Sequence, residues 1–241
     1  MSFFITASDG AYALTKAGMI SIIILIVVAI VVAAIIAGYK QQTSGFTTKS
    51  LAVAGISLAL AFVTSFIKFE LPMGGSVTLF SMFFICYVGY LYGSAVGFIT
   101  AFAYSLLAFI QSGSTYFLSP FQTCCDYFFA FTALGLAGLW FKKKHGLVIG
   151  YIVAVLVRGL FHTIGGYIYW MDYMPDWFRE HHLASFYSII YNYSYILAEM
   201  AITLIVINIP AVKKALMKIA QEATSDSKLS VHSTQKTASE S

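Results

Sequence analysis

Four side chains that can carry a charge lie inside long apolar stretches of this sequence, and they are Asp126, Arg158, His162 and Glu199. An ionisable group at membrane depth is costly, so each is a candidate for ligand binding or for an ion pair. Asp126 follows Gln122 by one helical turn, which places a carboxylate and an amide on one helix face. Two interpretations stay open for Asp126: contact with a ligand, or a purely structural pair with Arg158.

One predicted helix carries a stripe of such side chains. Arg158, His162, Gly166 and Trp170 recur every fourth residue, and Gly165 with Gly166 leaves room beside the rings. Taken alone, a membrane-embedded His is more often a hydrogen-bonded core residue, and a Trp at a helix end is usually an interfacial anchor. Together with an acidic side chain on a neighbouring helix, they predict a slot where a flat cation stacks on indole or imidazole.

The last long apolar stretch contributes further polar groups. Asn192, Tyr195 and Glu199 share one helix face, and Tyr187 lies nearer the start of the same helix. Asn192 offers donors and an acceptor to the edge of a heterocycle, and Tyr187 can donate or accept. Helix–helix hydrogen bonding is the alternative role for Asn192. For Glu199 we favour a structural role, with Arg158 as its partner.

These side chains need a scaffold that crosses a membrane, and the composition predicts one. Of the 241 residues, 59% are hydrophobic and 10% are charged, with a mean hydropathy of +0.82. The apolar residues form blocks of about 17 to 25 residues, the length that spans a hydrocarbon layer of roughly 30 Å. The blocks predict an all-α integral membrane protein with the spans Ala17–Gly38, Ser50–Ile67, Ser76–Tyr92, Ser94–Ile110, Phe117–Phe141, Gly146–Trp170 and Ser185–Ile207.

The loop lysines set the predicted orientation. With seven spans, three groups of lysines fall on one side of the membrane, which the positive-inside rule makes cytoplasmic. The groups are Lys40 with Lys49, Lys142 to Lys144, and Lys213 with Lys214 and Lys218. The net charge of +4 therefore reflects orientation, and no nucleic-acid partner is expected. After Ala220 the polar composition predicts a disordered cytoplasmic tail, and the three cysteines lack the spacing of a metal site or a disulfide framework.

Three stretches of the chain resemble a known family. They are Phe117–Tyr127 followed by Leu134–Leu139, then Val153–Trp170, and finally Phe186–Asn192. The middle stretch, with His162 and Trp170 eight residues apart, is the most specific of the three. In these residues the chain resembles the thiamine-specific substrate-binding (S) subunits of energy-coupling-factor (ECF) vitamin importers, over roughly Lys49 to Ile207.

The resemblance implies a fold and a set of partners. It implies a six-helix ECF S-component core at residues 49–210, preceded by one extra N-terminal transmembrane helix within residues 1–48 and followed by the tail at 211–241. The implied protein is a multi-pass thiamine receptor in a bacterial plasma membrane, and it is not an enzyme. It would work with a transmembrane coupling subunit and two ATP-binding-cassette (ABC) ATPases. Gly55 and Ala59 match the small-residue face that docks the coupling subunit.

The resemblance also implies a ligand-binding set. The matching positions are Asp126, Tyr127, His162, Trp170, Tyr187 and Asn192. By resemblance, His162 and Trp170 stack around the two rings of thiamine, whereas the Tyr and Asn positions supply hydrogen bonds. The family usually has Glu where this chain has Asp126, and the missing methylene shortens the reach of the carboxylate by roughly 1.5 Å.

Other functions stay open at this point. One is an S component for a different flat vitamin or precursor, such as hydroxymethylpyrimidine. Another is a self-contained proton-linked carrier that uses Asp126, Glu199 and His162 as a relay. A membrane enzyme with His162 and Asp126 as an acid/base pair is less favoured, because the sequence has no G-x-S-x-G elbow and no H-E-x-x-H motif. The sequence also lacks a G-x-x-x-x-G-K-[ST] loop, so we expect no direct use of ATP.

Overall fold

The structure is a computed structural model that describes residues 46–71, 75–112 and 118–223. It also describes the backbone of two short strands, β1 (Ile5–Ser8) and β2 (Ala11–Leu14), which pair in antiparallel fashion. The predicted span Ala17–Gly38 lies outside the described residues, so the extra N-terminal helix stays a prediction.

The described part of the chain is mainly helical. Its helices are α1 (Thr48–Ser65), α2 (Ser81–Tyr92), α3 (Ser94–Gln111), α4 (Pro120–Trp140), α5 (Gly146–Tyr169), α6 (Asp176–Glu180), α7 (Ala184–Ile207) and α8 (residues 210–223). Five of them, α1, α3, α4, α5 and α7, are long and apolar enough to cross a membrane, and α2 is a shorter apolar helix. This confirms the predicted class of all-α multi-pass membrane protein, with helix ends close to those predicted.

The predicted span Ser76–Tyr92 begins with a strand instead of a helix. Strand β4 (Ser76–Thr78) pairs in antiparallel fashion with β3 (Lys68–Glu70), and the two form the β3–β4 hairpin. Phe80 then takes a left-handed backbone conformation with φ of 64°, and α2 begins at the next residue. The prediction of a helix is therefore wrong for residues 76–80, where β-branched side chains fit the paired strand better than a helix.

Helix α2 is the centre of the bundle, because almost all of its residues are buried. It packs against α1, α3, α4 and α5, and small residues let the backbones come close. A Cβ added to Gly135 of α4 would lie 2.6 Å from Cα of Phe98 on α3. A Cβ added to Gly97 of α3 would lie 2.8 Å from Cα of Gly89 on α2. Glycine is therefore required where these helices cross.

Helix α8 corrects the expected tail at its beginning. Pro210 stands at the first helical position, where its fixed φ favours a helix start. Leu216, Ala220 and Ala223 recur on one face and pack against the hydrophobic core. The hydroxyl of Tyr87 donates a hydrogen bond to the carbonyl of Leu216 at 2.6 Å. Residues 211–223 are thus helical, whereas the remainder of the predicted tail lies outside the described residues.

The crossing of α3 and α4 gives a first prediction. Replacing Gly135 by Ala forces the two backbones apart, and we expect a loss of about 1–3 kcal/mol of stability from overpacking. The measurement is the thermal unfolding midpoint of the purified protein in detergent. Gly55→Ala is the matched control, because a Cβ at Gly55 meets nothing within 4 Å. Equal midpoints for the two variants would contradict the close crossing.

Candidate ligand-binding site

A cavity of about 410 Å³ opens between the β3–β4 hairpin and helices α1, α3, α4, α5 and α7. Its size is within the usual range of small-molecule sites. The cavity is lined by the first half of α4 and the last part of α5, whereas the lysine loop 142–144 joins the opposite ends of these helices. Because the positive-inside rule makes that loop cytoplasmic, the cavity lies toward the outer side of the membrane.

Two side chains contact the Asp126 carboxylate at the cavity wall, and a glycine lies close to it. Gln122 Nε2 donates a hydrogen bond to Oδ2 at 2.5 Å, and His162 Nδ1 lies 3.5 Å from Oδ1. A Cβ added to Gly165 would lie 2.8 Å from Oδ1, so only glycine lets α5 approach the carboxylate this closely. The Asp126 side chain is 17% exposed, which leaves it open to the cavity.

The backbone around Asp126 departs from α-helical geometry. Within α4, residues Cys124–Phe129 form a π-helical turn, and Ala133–Trp140 form a 3₁₀ segment. A π-turn holds one more residue than an α-helical turn, rotates the residues that follow, and is frequent at functional sites. Asp126 and the next residue, Tyr127, both line the cavity.

Helix α5 presents the predicted stripe to the cavity. Arg158, His162, Gly166 and Trp170 all line it. The imidazole of His162 meets the ring of Tyr195 edge to face, with 6.2 Å between the ring centres and 78° between their planes. Trp170 follows the last residue of α5 at the outer end of the stripe. The stripe therefore supplies two flat side chains, His162 and Trp170, two turns apart, to the cavity that the Asp126 carboxylate of α4 also lines.

Helix α7 closes the cavity with phenols and an amide. The amide oxygen of Asn192 accepts a hydrogen bond from the Tyr195 hydroxyl at 2.8 Å, and its nitrogen donates to the Ser188 carbonyl at 2.9 Å. A Cβ added to Gly166 would lie 2.6 Å from this nitrogen. The predicted room beside the glycines is thus occupied by the Asp126 carboxylate at Gly165 and by the Asn192 amide at Gly166.

The sequence-predicted ligand-binding residues come together in the structure. All of them line this one cavity, namely Asp126, Tyr127, His162, Trp170, Tyr187 and Asn192. The predicted docking residues Gly55 and Ala59 are placed elsewhere, on the exposed face of α1. Their spacing of four residues on a helix puts them on one side, as the predicted docking face requires.

Arg158 is placed differently from both predicted pairings. It is 8% exposed and lines the cavity, with its guanidinium carbon 4.5 Å from the ring centre of Phe131. Among the described residues, no carboxylate oxygen lies within 4 Å of its nitrogens, and its Nε has no hydrogen-bond partner. The structural pair with Asp126, which the sequence left open as an alternative, is therefore not formed, and the expected pairing of Arg158 with Glu199 is wrong. A cation–π contact takes their place.

Sequence analysis missed the hairpin as a wall of the site. Lys68, Glu70, Gly75 and Thr78 line the cavity, although the predicted spans leave residues 68–75 as a connection and put Thr78 near the start of a helix. Lys68 Nζ lies 2.7 Å from Glu70 Oε1, and this hydrogen bond lowers the pKa of the Glu70 carboxyl. The hint was the short charged stretch between two apolar blocks, which fits an edge strand as well as a loop.

This arrangement suits the binding of a flat, positively charged molecule. Aromatic side chains from α3, α4, α5 and α7 line a cavity whose wall includes a carboxylate in contact with an amide and an imidazole. Rings favour stacking and contact with cations, and the carboxylate supplies the opposite charge. The hydroxyl and amide groups of α7 can hydrogen-bond the edge of a heterocycle.

A helical membrane bundle that encloses such a cavity on its outer side defines a substrate-binding membrane protein. The family model described as "Thiamine transporter protein (Thia_YuaJ)" matches residues 51–219, and the chain belongs to this family. The membership confirms that the chain is a transport protein and not an enzyme.

Individual relatives agree with this placement. The chain is 25% identical to the thiamine transporter ThiT of Bacillus subtilis (strain 168) over 174 residues, which is 65% of this chain and 85% of the relative. A solved structure of ThiT from Listeria monocytogenes superimposes with a TM-score of 0.58 at 21% identity, covering 72% of this chain and 96% of that one, and confirms the fold. A solved S component of a bacterial ECF transporter gives a TM-score of 0.42 at 23% identity, covering 66% and 96%.

Proposed function

We propose that this chain is a high-affinity membrane receptor for thiamine and serves as the S subunit of an ECF-type importer. The observation that carries the proposal is the Asp126 carboxylate beside His162 in an aromatic cavity that Trp170 also lines. Thiamine joins a permanently positive thiazolium ring to a neutral aminopyrimidine. A cavity with one carboxylate and several rings offers each part a suitable partner.

Each of the proposed ligand-binding residues has a separate role. Asp126 opposes the positive charge, and the rings of His162 and Trp170 stack on the flat heterocycles. Asn192 and Tyr187 hydrogen-bond the polar edges. Gly165 lets α5 approach the Asp126 carboxylate closely, because a Cβ at this position would lie 2.8 Å from Oδ1.

Transport requires further subunits. The chain carries no phosphate-binding loop, so energy comes from two ABC ATPases through a transmembrane coupling subunit. Gly55 and Ala59 lie on an exposed helix face where another helix can approach closely. We assign the docking of the coupling subunit to this face of α1.

The proton-linked carrier is disfavoured by the position of Glu199. A relay needs the three groups to share one cavity, but the Glu199 carboxyl group does not line the cavity and accepts hydrogen bonds from Thr78. The other alternative, an S component for a smaller precursor, is tested by titrating the protein with thiamine and with each of its two halves. We expect thiamine to bind more tightly than either its pyrimidine or its thiazole half, because the cavity offers partners to both rings. Tighter binding of a half would defeat the thiamine assignment.

The stacking role of Trp170 gives a second prediction. Trp170→Ala should raise the Kd for thiamine about 30-fold, equivalent to about 2 kcal/mol, because a desolvated cation–π contact is lost. Isothermal calorimetry of the purified protein measures the change. Trp177→Ala is the matched control, because Trp177 is 57% exposed and does not line the cavity. Equal affinities of the two variants for thiamine would show that Trp170 is not part of the binding site.

The close approach at Gly165 gives a third prediction. Gly165→Ala pushes a methyl group against the Asp126 carboxylate, so we expect about a tenfold rise in the Kd for thiamine, or about 1.4 kcal/mol. Gly159→Ala is the control on the same helix, because its Cβ meets only the ring of Tyr193 outside the cavity. A thiamine affinity unchanged by Gly165→Ala would show that the position of the carboxylate does not matter.

A further inference from the structure

The Glu199 carboxylate is buried in α7 and has no part in the proposed ligand contacts. It is 2% exposed and does not line the cavity. Its Oε2 accepts hydrogen bonds from the backbone N–H of Thr78 at 3.1 Å and from the Thr78 hydroxyl at 2.6 Å. Its Oε1 lies 3.5 Å from the hydroxyl of Ser81. The side chains and backbone of Thr78 and Ser81 thus place hydrogen-bond donors on both oxygens of the Glu199 carboxyl group.

These donors mark the junction between the hairpin and α2. Thr78 ends β4, Ser81 begins α2, and their hydroxyl oxygens lie 2.6 Å apart. Between them, Phe80 has a left-handed backbone, and this N-cap residue makes no side-chain hydrogen bond to the helix start. A carboxylate near a helix N-terminus is favourable, so Glu199 supplies from α7 what the local sequence lacks.

The junction matters for the site because the hairpin is a wall of the cavity. Two points fasten this wall to α7. At one, the backbone N–H of Gly75 donates to the Tyr191 hydroxyl at 3.2 Å. At the other, Thr78 binds Glu199, which follows Tyr191 by two helical turns, or about 12 Å along the axis. Thr78 itself lines the cavity, so any shift at Glu199 moves the wall.

We infer that Glu199 is a positioning residue for ligand retention: without touching the ligand, it fixes Thr78 and the hairpin wall over the cavity. This inference rests on the proposed function, because thiamine is the ligand that is retained. It assigns a role to a buried carboxyl group for which the sequence suggested a pair with Arg158 or a place in a proton relay.

The test is the dissociation rate of thiamine from Glu199→Leu, which has no hydrogen-bond acceptor, from Thr78→Val and from the double variant, measured by stopped-flow tryptophan fluorescence. We expect each single substitution to raise the dissociation rate at least tenfold with little change in the association rate. The double variant should dissociate no faster than the faster single variant, because both substitutions release the same anchor. Thr203→Val is the matched control, since Thr203 is buried in α7 outside the cavity and should leave the rate unchanged.

Two results would overturn the inference. One is a wild-type dissociation rate in both single variants while both remain folded. The other is a lowered thermal midpoint in Thr78→Val with an unchanged rate, which would mark a merely structural contact. A wild-type protein that binds no thiamine would instead defeat the proposed function, and this is read from the wild-type titration before any variant is compared.

Discussion

A carboxylate inside the membrane-embedded part of a protein is tolerated only where other groups compensate its charge, and Asp126 is placed under that constraint. Gln122 of the same helix and His162 of α5 contact the carboxylate, and Gly165 of α5 leaves room for it. The hydrogen bond from Gln122 and the contact with His162 offset part of the cost of burying the carboxylate. The site therefore stays ready for a positive ligand.

The rest of the bundle serves to keep that arrangement in place. Glycine crossings near α2 bring α3 and α4 into backbone contact, so that the π-turn of α4 carries Asp126 and Tyr127 to the cavity. The hairpin completes the enclosure from the outer side, fastened to α7 at Thr78. In the proposed function, a cationic ligand that leaves the cavity loses its contacts with the carboxylate and the rings and gains contacts with water. The helices and the hairpin that enclose the cavity therefore also determine the affinity for the ligand.

Much of this was readable from the sequence because the signals were periodic. Apolar blocks gave the helices, and the spacing of Arg158, His162 and Trp170 gave the cavity-facing stripe of α5. What escaped prediction depends on tertiary geometry. The hairpin forms because two short segments pair, the π-turn has no spacing signal, and Arg158 prefers the Phe131 ring to either carboxylate. Helix α8 was not predicted because only a few apolar residues, Leu216, Ala220 and Ala223, mark its buried face.

In the proposed function, Asp126 receives the positive charge of the ligand. The most direct measurement compares thiamine with its uncharged analogue, in which carbon replaces the thiazolium nitrogen, on the wild type and on Asp126→Asn. We predict that the wild type prefers thiamine by at least about tenfold, or about 1.4 kcal/mol, and that Asp126→Asn loses most of this preference. The same preference for thiamine in both proteins would contradict the account.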